Sequence, residues 1–380
     1  MIQEGIFAPS DPIPLMQNLN FRLLIIFLVA AIGFQSCETE IDISAPYKRI
    51  PVIYGLLDLS ADTQFVMINR TFLGAGNADD FAQIEDSMIY DNVDARIYYG
   101  SGENDFVQLD SIRVTDKDLG GVFYAPTQRV YYVPTAAFPS NIWNATTNFE
   151  LRVAADGDDI TASTQLVDVS DAHLSKLIPS TNAAQAISFV GTTGGYVSSF
   201  KFEWRAFKHA VKHEAFILFD YTEQRADGSS VPKTLRIPFA LSDASAPDVN
   251  FDFNFFSKNG EFFYNYLENN IPVDGAVVRR AFGSLHFVIN AAGTDFSTYL
   301  NVGDPVSSVG QDRPRYSNIN GGEGIGIFSS RGLYTYEKQM KVNSSTPQTI
   351  IELVTGVHTQ NFCFCDPEPG STYSCNTVCQ

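Results

Sequence analysis

Two histidines at helical spacing, two glycine-rich runs and five cysteines are the places where this chain could carry chemistry. His209-x3-His213-Glu214 sets imidazoles at i and i+4, a spacing at which side chains on a helix share a face and can share a metal ion. The preceding residues alternate apolar and charged, as a strand does. On a strand, i and i+4 stand about 13 Å apart, beyond the reach of one ion with bonds of about 2 Å. The expectation is therefore two solvent-facing histidines and no metal. Gly322-Glu323-Gly324-Ile325-Gly326 has the outline of a dinucleotide loop, but Ile327-Phe328-Ser329-Ser330-Arg331-Gly332 after it does not begin a helix. A turn in which backbones pack closely is the reading. Gly191-Thr192-Thr193-Gly194-Gly195 lacks the Lys-Ser/Thr of a phosphate loop. Neither a Gly-x-Ser-x-Gly elbow nor a His-Glu-x2-His pair occurs, so no catalytic residue and no cofactor is assigned. A carboxylate pair of glycosidase type is the enzymatic alternative.

The cysteines divide into one and four. Cys363, Cys365, Cys375 and Cys379 crowd the C-terminus; two disulfides are the first reading, a four-thiolate zinc site or free thiols the others. Cys37 ends Phe34-Gln35-Ser36-Cys37, directly after the apolar run Leu23–Phe34 with Arg22 before it. Twelve helical residues reach about 18 Å, short of the roughly 30 Å hydrocarbon core, so the run reads as a secretory signal. A small residue before Cys at its end makes Cys37 the expected lipid acceptor; an ordinary signal peptide with an incidental cysteine is the alternative. Met16 is the expected start, with residues 1–15 upstream of it.

Acidic residues outnumber basic ones 43 to 25, a net charge of −18. Losing Glu4, Asp11 and Arg22 with the leader leaves about −17. That surface repels nucleic acid and anionic headgroups; solubility, or less directly calcium binding, is what it suits.

Period-two patterning must position these residues. Strands are expected at Val52–Leu57, Phe65–Phe72, Asp94–Tyr99, Phe106–Val114, Gly121–Val133, Phe149–Ala155 and Asp159–Leu166, the last two joined at Asp156-Gly157-Asp158. Longer strands follow at Phe200–Arg205, Ala215–Glu223 and Lys233–Ala240, with a hairpin at Asp227-Gly228. Two short helices are expected, Lys258–Asn270 capped by Ser257 and another from Thr294 or Asp295 to Leu300. The fold class is mostly β: an immunoglobulin-like sandwich followed by a second β-rich domain with two short helices. In order, the divisions are a leader (1–36), a lipidated tether (37–48), the sandwich (49–168), the second domain (169–355) and a Cys-rich tail (356–380). Among the aromatics from Phe251 to Tyr266 most are expected in the core, with Tyr264 or Tyr266 the candidates for stacking on a sugar.

Cys37 with Glu38 and Glu40, the strand Pro51-Val52-Ile53-Tyr54-Gly55-Leu56-Leu57-Asp58, and Tyr316-Ser317-Asn318-Ile319-Asn320-Gly321-Gly322 leading to Gly326-Ile327-Phe328 together form a pattern. Over residues 37–335 the chain resembles the Bacteroidota cell-surface lipoproteins of domain-of-unknown-function family 4249. The resemblance implies an outer-membrane address, Glu38 and Glu40 as a surface-export signal, and association with TonB-dependent transporters. It supplies no catalytic residues. The expected role is a lipid-anchored binding or accessory module in nutrient uptake; a structural or adhesive surface protein and an envelope hydrolase are the alternatives. Ligand or partner contacts are expected on loops, at Asp156, Asp158 and Asp159, at Tyr196, and at Tyr316, Asn318 and Glu323.

Overall fold

Alternation of side chains builds the first half. The computed structural model describes residues 50–71, 84–115, 127–169, 179, 182, 185–243, 253–303, 315–340 and 347–377. The expected leader, the tether with Cys37, Glu38 and Glu40, and Cys379 lie outside them. Strands β1 (Pro51–Asp58), β2 (Thr63–Arg70), β3 (Val93–Tyr98), β4 (Phe106–Gln108), β5 (Asp110–Val114), β6 (Gln128–Pro134), β7 (Asn148–Ala155) and β8 (Asp158–Gln165) make up this half. In β7, Phe149, Leu151, Val153 and Ala155 are buried while Arg152 and Ala154 are exposed, the pattern of a strand with one face on a core. β7 and β8 close a two-residue hairpin in which Asp156 and Gly157 both take positive φ, 48° and 91°, as a type I′ turn requires. The expected single strand Phe106–Val114 is two, because the chain leaves one sheet and joins another at Leu109.

The second half contains β9 (Val190–Gly191), β10 (Gly195–Tyr196), β11 (Phe200–Arg205), β12 (Ala210–Arg225), β13 (Ser230–Asp243), β14 (Phe253–Lys258), β15 (Val277–Gly293), β16 (Ile325–Lys338) and β17 (Phe364–Cys365). Its longer helices are α1 (Glu261–Asn270), α2 (Thr294–Gly303) and α3 (Gln348–Thr355). Ser257 belongs to β14 and does not cap α1; Asn259 Oδ1 accepts the Glu261 N–H instead, at 3.0 Å. Pro272 follows one residue past the C-cap Ile271 and cannot continue the helix.

One sheet joins the halves. Its order is β13-β12-β15-β16-β1-β2-β6-β5, with β1 and β16 parallel. A second sheet, β4-β3-β7-β8, covers its first-half face, and Ile53, Val66, Ile97, Leu151 and Phe328 pack in the core between them. The other core sets Ile217, Phe219, Phe287 and Ile289 of the large sheet against Phe202 and Trp204 of β11, Phe263 and Leu267 of α1, and Leu353 of α3. The expected division at 168/169 falls where these cores meet, yet the large sheet runs across it and Tyr47–Gln380 form one compact unit.

The tail departs most from expectation. Set off from the second domain in the sequence divisions, it joins that domain's sheet: β17 pairs in parallel with Arg280 and Ala281 of β15, beyond the point where β16 ends. Phe362 and Phe364 are buried in the second core, and Cys365 is fully buried and bonded to Cys375. Cys363 is also in a disulfide. Arg280, ion-paired with buried Glu223 at 3.2 Å, donates to the Phe362 carbonyl at 2.9 Å. Truncation after Gly356 should therefore lower the melting temperature sharply, and Phe364→Ala should cost about 3–5 kcal/mol in urea unfolding. A truncated chain that melts like the full one would show that β17 contributes nothing.

Candidate binding groove

Among the described residues, α2 is the element that lies on the face of the large sheet turned away from both cores. Strand alternation decides what points there: Ile289 is in the core, so Asn290 is not, and Arg331 and Leu333 alternate with inward Gly332 and Tyr334. Register aligns these residues in rows. Leu241, Glu214, Asn290 and Leu333 are neighbours across β13, β12, β15 and β16. The next row is Lys212, Ala292, Arg331 and Asp58, reaching β1. Helix α2 begins where β15 ends and lies over this face, its Phe296 N–H donating to Ser329 Oγ at 3.2 Å.

A cleft runs along each side of α2. One, with a volume of about 460 Å³, has Leu241, Ala292, Leu333, Phe296 and Leu300 as apolar walls and Lys212, Glu214, Asn290 and Arg331 as polar ones. The other, about 370 Å³, lies over β1 and β2 between Tyr54, Leu56, Phe65 and Tyr299. Phe296 and Arg331 line both. Glu214 is already engaged, 2.5 Å from Arg236 Nη2, with the Asn290 amide at 3.4 Å. Arg331 Nε lies 3.3 Å from Asp58 Oδ2, and the other Asp58 oxygen accepts from Ser60 N and Oγ at 3.0 and 2.7 Å. Lys212 Nζ donates to Asn301 Oδ1 at 2.8 Å. Burial and a contact with the Tyr299 hydroxyl push the Tyr54 phenol up to about 12, so it stays neutral. These walls can hold an amphipathic small molecule. Among the described residues no cluster of three or more His, Cys, Asp or Glu is placed to hold a metal.

The residues expected at the site are elsewhere, mostly with structural work. Asn318 mimics a strand neighbour: its amide donates to the Phe328 carbonyl at 2.7 Å and its oxygen accepts the Phe328 N–H at 2.9 Å. Tyr316 bonds Asp295 in the first turn of α2, which anchors the helix that forms the groove. Gly326, at φ 116°, passes the Ile53 carbonyl so closely that a Cβ would lie 1.9 Å from that oxygen, as the glycine-rich turn was expected to do. Asp156 accepts from Asn92 N at 3.2 Å and pairs with Arg70 at 3.8 Å. Asp158 and Asp159 border Gly322 and Gly321, so two of the expected loops do meet. Glu323, at φ 56°, is exposed on the second of these turns. Tyr196 is remote from them, donating to Glu352 at 2.6 Å. Tyr264 is fully buried with its hydroxyl on the Thr349 carbonyl, so it is no stacking platform. Sequence reading missed Lys212, Asn290, Phe296 and Arg331; the signal available was the polar face of two long strands.

Against expectation, His213 is fully buried, its Nε2 accepting the Phe207 N–H at 3.1 Å beside Trp204. Burial lowers its pKa to about 4. The unfolded chain takes up this proton near 6.5 and the folded chain only near 4, so stability is constant above 6.5 and falls between those values. The loss should be about 3 kcal/mol. His213→Gln, which keeps an acceptor, should flatten that limb of a urea-midpoint against pH plot by about one proton; an unchanged slope would assign it to other groups.

Comparison with known proteins adds little. No family model and no curated protein matches the chain. Among solved structures, the C-terminal globular domain of an oligosaccharyltransferase from Pyrococcus abyssi aligns at 8% identity and TM-score 0.17, over 56% of this chain. The chain spans 38% of that domain's length. The calcium-binding domain CBD12 of CALX1.1 aligns at 10% identity and TM-score 0.15, over 74% of this chain and 98% of its own. Such scores carry no argument about this molecule.

Proposed function

We propose that this chain is a surface-exposed outer-membrane lipoprotein, similar to the domain-of-unknown-function family 4249, that binds small ligands as an accessory module beside a TonB-dependent transporter. The observation that carries the binding part is the pair of clefts flanking α2, set on strands and lined by apolar walls with a few polar groups. Small-molecule sites are built this way, and side chains on strands are held more firmly than those on loops. The address rests on the leader, on Cys37 as lipid acceptor and on Glu38 and Glu40. An eleven-residue tether after Cys37 extends roughly 35 Å at about 3.3 Å per residue, and tethering raises effective concentration so that contacts with a neighbouring transporter can be individually weak. The first half is read as a sandwich of immunoglobulin-like type. Two sheets face each other across one core, and the chain passes between them at Leu109, which supports that reading.

Cys37→Ala should abolish fatty-acid labelling in the native envelope and release the protein from the membrane fraction. Cross-linking in mild detergent should recover a TonB-dependent transporter, and loss of the protein should slow growth on that transporter's substrate. Labelling that survives the substitution would remove the anchor. A protein that comes down alone, and whose loss alters only adhesion, would put the structural reading in its place.

A further inference from the structure

Resting on the reading of this groove as a binding site, we propose that the larger cleft takes small amphipathic carboxylates, the carboxylate at Arg331 and the apolar chain along Leu333 and Leu300 toward Leu241. Single exposed leucines are ordinary on a protein surface, but three converging on one cavity mark a site where apolar matter docks. Leu241, Leu300 and Leu333 are 55%, 38% and 45% exposed, and all line the 460 Å³ space. Three strand spacings separate β16 from β13, about 14 Å. An extended chain of about ten carbons covers that width.

The polar side of the cleft selects the charge. Glu214 is ion-paired with Arg236, which itself lies over the Phe216 ring at 4.1 Å, and receives the Asn290 amide. Its charge is therefore offset within the cleft, which weakens its pull on a cationic ligand. Arg331 is the opposite case: it meets Asp58 through Nε, its side chain is more than half exposed, and it lines both clefts. A planar pair of N–H donors at the end of an apolar trough matches a carboxylate in two parallel hydrogen bonds. Lys212 lines the same space on the same cross-strand row, two strands away, and adds donor character to that side. The chain as a whole is strongly acidic, so an anion is disfavoured at long range. That field is screened beyond about 8 Å at physiological salt, which leaves the local donors to decide.

Calorimetric titration of the full-length mature protein with decanoate, decanol and decyltrimethylammonium tests this. Decanoate should bind saturably and at least tenfold more tightly than the other two. Arg331→Gln should weaken decanoate tenfold or more and change decanol less than twofold. Leu333→Asp, at an exposed strand position, should abolish both, and Leu241→Asp on the edge strand serves if that variant does not fold. Should Arg331→Gln fail to fold for want of a partner to Asp58, Arg331→Lys keeps the charge without the fork and should still weaken decanoate at least threefold. Equal binding of decanoate and decanol, unaffected at Arg331 but lost in Leu333→Asp, overturns the carboxylate and leaves the groove as an apolar site. No saturable binding of any probe, or binding that both aspartate variants retain, overturns the site itself. The surface-lipoprotein address is decided separately, by the labelling of Cys37.

Discussion

The parallel pairing of β1 with β16 joins the first described strand to one near the end of the chain, with Asp58 meeting Arg331 across 273 positions. Both cores close around it. Phe328, on β16, packs in the first-half core, while Tyr336 on the same strand packs in the second. The pairing is possible only where two backbones lie close with side chains removed. A Cβ on Gly55 would lie 3.0 Å from the Phe328 ring, and one on Gly326 would meet the Ile53 carbonyl. Glycine at 326 is thus a condition for the two strands to pair in this register, while Gly55 leaves room for the Phe328 ring; the large sheet takes strands from both of the divisions drawn in the sequence.

The segment from Tyr316 to Gly324 does its work at this junction. It runs beside β16 without being a strand, and Asn318 supplies with one amide the two hydrogen bonds that a neighbouring strand would give Phe328. Ser317 ties the turn by donating to the Gly324 carbonyl, and Asn320 bridges to Thr161 of β8. Tyr316 reaches across to Asp295. A short polar run therefore links the covering sheet, the large sheet and the groove helix. Its composition looked like that of a recognition loop because polar side chains that bond backbone and polar side chains that bond ligands are the same residue types.

What could be read from sequence follows burial. First-half strands show one buried face, so alternation marks them, as in Phe149–Ala155, and the Asp156-Gly157 turn marks where two of them meet. The long strands β15 and β16 are covered on both faces along part of their length: Phe287, Val288 and Ile289 are all buried. The alternation that would have announced them is lost there. His213 was misjudged for a related reason, since its strand was identified but not which face met the core. Helix α3 was legible and went unread: Ile350, Leu353 and Val354 fall at i, i+3 and i+4 behind Pro347 and are buried, beside a buried Thr349 that serves the Phe189 N–H and the Tyr264 hydroxyl. In the tail the cysteines drew attention away from Phe362 and Phe364, whose period of two was the evidence that it adds a strand.

The groove itself could not have been found by motif, because its residues come from four strands and a helix and are assembled by register alone. Loops were the natural place to seek contacts, yet here the loop residues are occupied in holding the fold, and the outward row of the sheet is left to face solvent. Arg331 stands where this matters most. It lies on the strand shared by both halves, is paired to the end of β1, and is common to the clefts on either side of α2. Anything that engages its guanidinium competes with or reinforces the Asp58 contact, and so acts on the same β1–β16 pairing that keeps the two cores on one sheet. On the proposed reading, a ligand held there would sit on the strand that both cores share, at a position whose backbone is paired on both sides.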